Sequence, residues 1–162
     1  MSDSERNSEE RTEIGPWERT VGEMREIARQ YREDGWEVVA VRAGDTAPES
    51  PEVGESDRFG FVHTVPNAVA SDVRSVLDGD VDGSTVHRRS LGSTLFFVTE
   101  ITDATTRRAL LLAGAVDTGV AEELEMAARE RGELYTHVQL LDWTHLGTVR
   151  HDDPSAFFRE SS

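Results

Sequence analysis

The chain reads as an α+β protein: a mostly antiparallel sheet of about seven strands with three helices, in the order α-β-β-α-β-β-β-α-β-β. Two patterns predict this class. Three stretches repeat apolar residues every three to four positions, and about seven short stretches alternate or run apolar as strands do. Most of those strands are joined as hairpins, by Leu91-Gly92, Asp103–Thr106 and Asp142-Trp143. Helices on an antiparallel sheet can cover one face and leave the other to solvent or a partner.

Residues 1–14 are polar and charged and read as a disordered acidic tail. Residues 15–160 read as a single domain. Gly15-Pro16-Trp17 opens the first helix, whose stripe is Trp17, Val21, Met24, Ile27, Ala28 and Tyr31, and Gly35 ends it as a left-handed cap. Trp36–Arg42 is a β-branched strand. Residues 44–57, GDTAPESPEVGESD, carry five acids, no base and two prolines, and read as a flexible acidic loop.

Arg58–Val65 is the second strand. Its two-residue period puts His63 with Phe59, Phe61 and Val65, as a buried neutral histidine with a hydrogen-bond partner. Asn67 is a candidate N-cap for the second helix, with Val69, Val73, Val76 and Leu77 facing in. DGDVDG at 78–83 spaces its acids like a calcium loop, but position 89 is Arg where the loop needs Glu, so a polar turn is expected.

Strands follow at Thr85–Ser90, Thr94–Thr102 and Arg107–Val116, the last apolar enough to be central and buried on both faces. With these turns Arg88 lies opposite Leu95 and Arg108 opposite Ile101. Six residues separate the two arginine pairs by roughly 20 Å, so they form no single anion patch. Asp117-Thr118-Gly119 starts the third helix, with Val120, Leu124, Ala127 and Ala128 inward, and Gly132 ends it.

Leu134–Leu141 and Thr144–Arg150 form the last hairpin. A two-residue turn at Asp142-Trp143 pairs Leu140 with His145 and puts His145 on the core face, with His137 on the other. A three-residue turn slips the register and brings His137 and His145 to one face. His137, His145 and His151, with Asp152, are the candidate metal ligands, of the kind that activates water, though no HExxH spacing supports them. Trp143 is unusual in a turn. It either packs across the hairpin or is an exposed interaction anchor. Asp153-Pro154 caps a last turn that carries Phe157 and Phe158.

The 162 residues carry a net charge of -15, and all 17 basic residues are arginine. Acidic excess without lysine fits concentrated salt, where a Debye length of about 3 Å screens self-repulsion while carboxylates keep the surface hydrated. Cysteine is absent, which removes disulfides, thiolate nucleophiles and cysteine zinc sites. Absent lysine removes the P-loop and Schiff-base chemistry. No dinucleotide fingerprint or G-x-S-x-G elbow occurs. The acidity and lack of a basic cluster argue against nucleic acid, and no apolar run is long enough to span a membrane.

REDGWEVVAVRAGDTAPESP, DRFGFVHTVP and YTHVQLLDWTHLGTVRHDDP resemble a small acidic family of conserved hypothetical proteins from halophilic archaea, over Trp17 to Phe158. The resemblance implies a halophilic source and assigns no catalysis. The element order up to the third helix is similar to that of roadblock-type and profilin-like domains, which implies a dimerising or GTPase-binding scaffold; two further strands depart from it. The expected function is a non-catalytic, cytoplasmic interaction or ligand-sensing domain, as a homodimer or with another protein. The alternative is a metal-dependent, hydrolase-like enzyme using the C-terminal histidines.

Overall fold

Helix α1 spans Pro16–Glu33 in the computed structural model, which describes residues 14–49 and 59–151. Pro16 sits in the first turn, where its missing N–H has no intrahelical bond to lose. Val21, Met24 and Ala28 are buried at the helical period. The end is built as the sequence predicts. Gly35 takes φ +86°, Gly35 N donates to Arg32 O, and Trp36 N donates to Tyr31 O. The Tyr31 and Trp36 rings meet with centroids 5.2 Å apart. These bonds and this contact make a Schellman cap, which satisfies carbonyls the last turn leaves open.

Gly22 lies inside α1 with nothing within 4 Å of where a Cβ would stand. Gly22→Ala is therefore expected to raise stability by roughly 0.5–1 kcal/mol. A urea midpoint that rises at constant slope would show it.

The remaining elements are β1 (Glu37–Arg42), β2 (Asp45–Glu49), β3 (Gly60–Val65), a 3-10 turn (Asn67–Val69), α2 (Ala70–Leu77), β4 (Gly83–Leu91), β5 (Thr94–Asp103), β6 (Arg108–Asp117), α3 (Thr118–Arg131), β7 (Leu134–Leu140) and β8 (His145–His151). The strands form two mixed sheets of four instead of one antiparallel sheet of seven. Sheet A runs β1-β6-β5-β4 and sheet B runs β2-β3-β7-β8. β1 is parallel to β6 and β3 is parallel to β7; the other neighbours are antiparallel. The roadblock-like element order does not extend to this arrangement.

β2 accounts for much of the difference. It occupies residues expected to be loop, and pairs with β3 at the edge of sheet B. An edge strand tolerates Pro48, whose missing N–H is not needed by a second neighbour. The rest of the acidic stretch from 50, most of the N-terminal tail, and the Asp153-Pro154 turn with Phe157 and Phe158 lie outside the described residues. The chain changes sheets in one step between β1 and β2. Ala43 N donates to Ala113 O in sheet A, and Gly44 N donates to Thr64 O in sheet B, each at 2.9 Å. At the opposite edges, Ser84 of β4 and His151 of β8 share a 2.8 Å hydrogen bond.

α1 covers one face of sheet A, with Val21, Met24 and Ala28 against Val98, Leu111 and Ala113. The other face packs on sheet B. Leu95 and Phe97 meet Phe61, while Ile101, Leu110 and Leu112 meet Val65 and Val138. Helix α2 adds Val73 and Val76 to this interior, and α3 adds Ala121, Leu124 and Ala128. β5 and β6 are thus covered on both sides, which is why ALLLAGAV carries no polar alternation.

Local expectations held unevenly. Asp117 caps α3 by accepting from Gly119 N at 2.8 Å, and Gly132 closes it at φ +69°. Asn67 caps nothing: its 3-10 turn precedes a helix that begins at Ala70 without a side-chain cap bond. The β4–β5 turn is Gly92-Ser93, so Arg88 pairs with Phe97 and Arg108 with Asp103. The six-residue spacing along β5 survives this shift, and the arginine pairs stay apart. In the acidic turn, Asp82 accepts from Ala104 N and Asp103 from Asp80 N, so both carboxylates hold chain reversals in place.

Candidate binding face

Three residues, Leu141, Asp142 and Trp143, form the β7–β8 turn. Trp143 N donates to Leu140 O, and Leu140 N donates to Thr144 O. Such loops close with a residue in the left-handed region, usually glycine; here it is Trp143, at φ +72°. Asp142 Oδ1 steadies the turn by accepting from Thr144 N at 3.0 Å. A bulge follows. Val138 pairs with Gly147 but Gln139 pairs with His145, leaving Leu146 as the extra residue.

The bulge reverses what a two-residue turn implies. Leu146 becomes buried and His145 exposed, while His137 is the better buried of the outer pair. The slipped register brings the two histidines together: their ring centroids are 6.1 Å apart, and both share a hydrogen bond with Thr148 Oγ1, at 2.8 and 3.0 Å. His151 goes the other way. It is buried between the sheets, its Nδ1 bonded to Ser84 and its Nε2 2.6 Å from Thr136 Oγ1. Asp152 lies outside the described residues. The three described candidates, His137, His145 and His151, are therefore not gathered into one ligand set. Among the described residues no group of three His, Asp or Glu is placed to hold a metal.

The outer face of sheet B is what these elements assemble. Asp45, Thr64, Gln139 and His145 stand in one row across the four strands, and Ala47, Val62, His137 and Thr148 in the next. Neither row contributes to the three apolar clusters, because every described helix packs elsewhere. Tyr135 stacks along the face on His137, with centroids 6.3 Å apart. At the hairpin end, Leu141 is 80% exposed and Trp143 79%. They rim a groove of about 490 Å³ whose floor includes Ala47, Pro48 and Val62 and whose polar groups are Asp45, Thr64 and Gln139. Trp143 and Pro48 give the groove apolar surface, and Asp45, Thr64 and Gln139 give it acceptors and an amide. Among the described residues that line it, no nucleophile is hydrogen-bonded to a base.

Trp143 gains little packing from a conformation that costs an L-residue about 1–2 kcal/mol. Trp143→Gly is expected to stabilise the fold by about 0.5–1 kcal/mol, a change a thermal melt would show. Of this face the sequence singled out Trp143 and the histidines. Val62, Thr64 and Gln139 were legible only as the outward positions of strands, and Asp45 only as part of the acidic loop, since nothing local says that no described helix packs on this face.

Two further clusters emerge. His63 is fully buried as expected, with Nδ1 2.9 Å from Thr46 Oγ1. Burial, then the nearby His151, push its pKa down to about 3, so it is neutral; its Nε2 has no hydrogen-bond partner among the described residues. On the α1 side of sheet A, Tyr31 OH donates to Glu100 Oε1 at 2.7 Å, and His87 Nε2 bonds Glu100 Oε2. Burial pushes the Glu100 carboxyl up, but those two bonds outweigh it and hold it below its ordinary value. The Glu100 contact raises the His87 imidazole. This chain ties α1 to the β4 edge. No local pattern signals it, because its members come from three separate elements.

No curated protein and no solved structure matches the chain. One family, described as a family of unknown function (DUF7529), matches residues 3–159, and the chain belongs to it.

Proposed function

We propose that the domain is a non-catalytic binding module, and that it binds through the outer face of sheet B beside Trp143. The observation that carries this reading is Trp143 itself, 79% exposed and held at φ +72°, where glycine is the stable choice. A residue kept against its local preference marks a functional position more often than a structural one. The groove beside it falls within the size of small-molecule sites, and the mixture of Trp, Tyr, His and few charges is that of an interface centre. The charge of -15 without lysine supports a working place in the salt-rich cytoplasm of a halophilic archaeon.

Phenol and indole, titrated into the ¹⁵N-labelled protein in molar KCl, test the reading. Amide shifts gathered at Ala47, Val62, Thr64, Gln139 and Trp143, and lost in Trp143→Ala, are expected. Shifts spread evenly, or gathered on the α1 side, would remove this face as the binding surface.

A further inference from the structure

We propose that a water molecule is bound in the interior between the two sheets, held by His63 Nε2 and Thr99 Oγ1 and completed by Thr136 Oγ1. The site is independent of the binding face beside Trp143.

The apolar interior between the sheets is divided into two clusters, and a polar row runs along the division. On β3, His63 stands between Phe61 of one cluster and Val65 of the other. On β5, Thr99 stands between Phe97 and Ile101, and on β7, Thr136 stands between Leu134 and Val138. All three are fully buried, and the two-residue period of a strand turns each toward the opposite sheet. The same position on β6, between Leu112 and Val116, is Gly114. A Cβ there would stand 2.8 Å from His63 Cε1, so the glycine is what admits the ring.

Both ends of the row are bonded. Thr46 Oγ1 is 2.9 Å from His63 Nδ1, and Ser84 and Thr136 hold the two ring nitrogens of His151 at 2.8 and 2.6 Å. The middle is open. His63 Nε2 and Thr99 Oγ1 are buried, and neither has a hydrogen-bond partner among the described residues. The two face the same space. The His63 ring turns Nδ1 toward β2 and Cε1 toward β6, which leaves Nε2 on the side of β5 and β7. The ring also lies 5.6 Å from that of Phe97, the inward neighbour of Thr99 on β5.

An imidazole nitrogen and a hydroxyl that both lack partners carry two desolvation penalties, and one bridging molecule removes both. Buried waters typically make about three hydrogen bonds. Thr136 Oγ1 supplies the third, because a hydroxyl bonded to His151 still has capacity to spare. No carboxylate or arginine stands in the row, so an ion there would be uncompensated. Water both donates and accepts, and so suits either neutral form of His63. With it, hydrogen bonds run unbroken from Thr46 to Ser84 through all four strands of sheet B, and tie β5 of sheet A to β3 and β7.

A crystal structure of the protein grown from molar KCl tests the proposal. Density for a water within about 3.2 Å of both His63 Nε2 and Thr99 Oγ1 is expected. A direct bond between the two side chains, or an apolar side chain filling the space, overturns it. Thr99→Val, which keeps the shape and removes the hydroxyl, gives a second test by the sign of its effect. With the water in place the substitution strips a bond from it, and the melting temperature falls. Were Thr99 Oγ1 an orphan, a methyl in its place would be neutral or stabilising. An unchanged or higher melting temperature therefore overturns the proposal as well.

Discussion

Gly60→Ala is expected to remove most of the protein's stability. A Cβ at Gly60 would stand 1.7 Å from Tyr135 O and 2.9 Å from Tyr135 N, inside the backbone of the neighbouring strand. No side-chain rotation relieves such a contact, because the obstacle is main chain. β3 and β7 must separate there, and the register Gly60–Tyr135, Phe61–Thr136, Val62–His137 is the central pairing of sheet B. The carbonyl of Phe59, which accepts from Tyr135 N at 2.9 Å, is displaced with it. Phe59 and Phe61, both fully buried, lose their places in the inter-sheet cluster. A loss above about 4 kcal/mol is expected, against a total of about 5–15 kcal/mol for a domain of ordinary stability. Urea unfolding of wild type, Gly60→Ala and Gly44→Ala measures it. The Gly44 position has 3.8 Å to its nearest neighbour and is the mild control. A Gly60 variant within about 1 kcal/mol of wild type would mean that β3 and β7 do not approach this closely.

Acid is expected to destabilise the protein well above the pH at which carboxylates titrate, because His63 is buried neutral. Its pKa falls to about 3 in the fold, against about 6.5 in an unfolded chain. Between those values the unfolded state binds the extra proton, so stability falls as pH falls. The contribution is intact above about pH 6.5 and is lost progressively toward about pH 3. Each pH unit in that window is worth about 1.4 kcal/mol, so roughly 2–3 kcal/mol disappears between pH 6.5 and 4.5 alone. His87 does not mask this. Its folded pKa is raised, so its contribution is complete below about 6.5 and is lost only as pH rises through the folded value. Glu100, lowered in the fold, loses its contribution at more acid pH, as its own folded value is passed. Urea midpoints at pH 7.0, 5.5 and 4.5 give the slope in wild type and His63→Gln. Flattening in the variant is expected. Equal slopes would locate the acid sensitivity elsewhere.

What the sequence disclosed and what it withheld divide along the range of the interactions. The α1 cap at Gly35, the Asp117 cap, the buried His63 and the doubly covered β6 all follow from neighbours in sequence or from a strand's two-residue period. The partition into two sheets does not. It depends on β1 finding β6 at a separation of 71 residues and on β3 finding β7 at 75, as the Val41–Leu112 and Val65–Leu140 pairs mark. β2 was hidden by Pro48 and its acids, which an edge strand accepts and a central one does not. In the candidate face, one residue decided the outcome. The turn holds three residues instead of two, and the resulting bulge exchanged the places of His145 and Leu146. The sequence left both turn lengths open, because Asp142-Trp143 lacks the glycine that normally marks a three-residue turn.

The one-step crossing at Ala43–Gly44 has a consequence for how the protein is made. Sheet A joins β1 to strands that end at Asp117, and sheet B joins β2 and β3 to strands that end at His151. Neither sheet is a contiguous stretch of chain, so no cut yields a half that folds alone. During synthesis β1 and β3 leave the ribosome long before their parallel partners and wait with unpaired edges, which is when strands aggregate. Like charge on the emerging chain is a means of keeping such edges apart, and this chain carries 32 acidic residues against 17 basic ones.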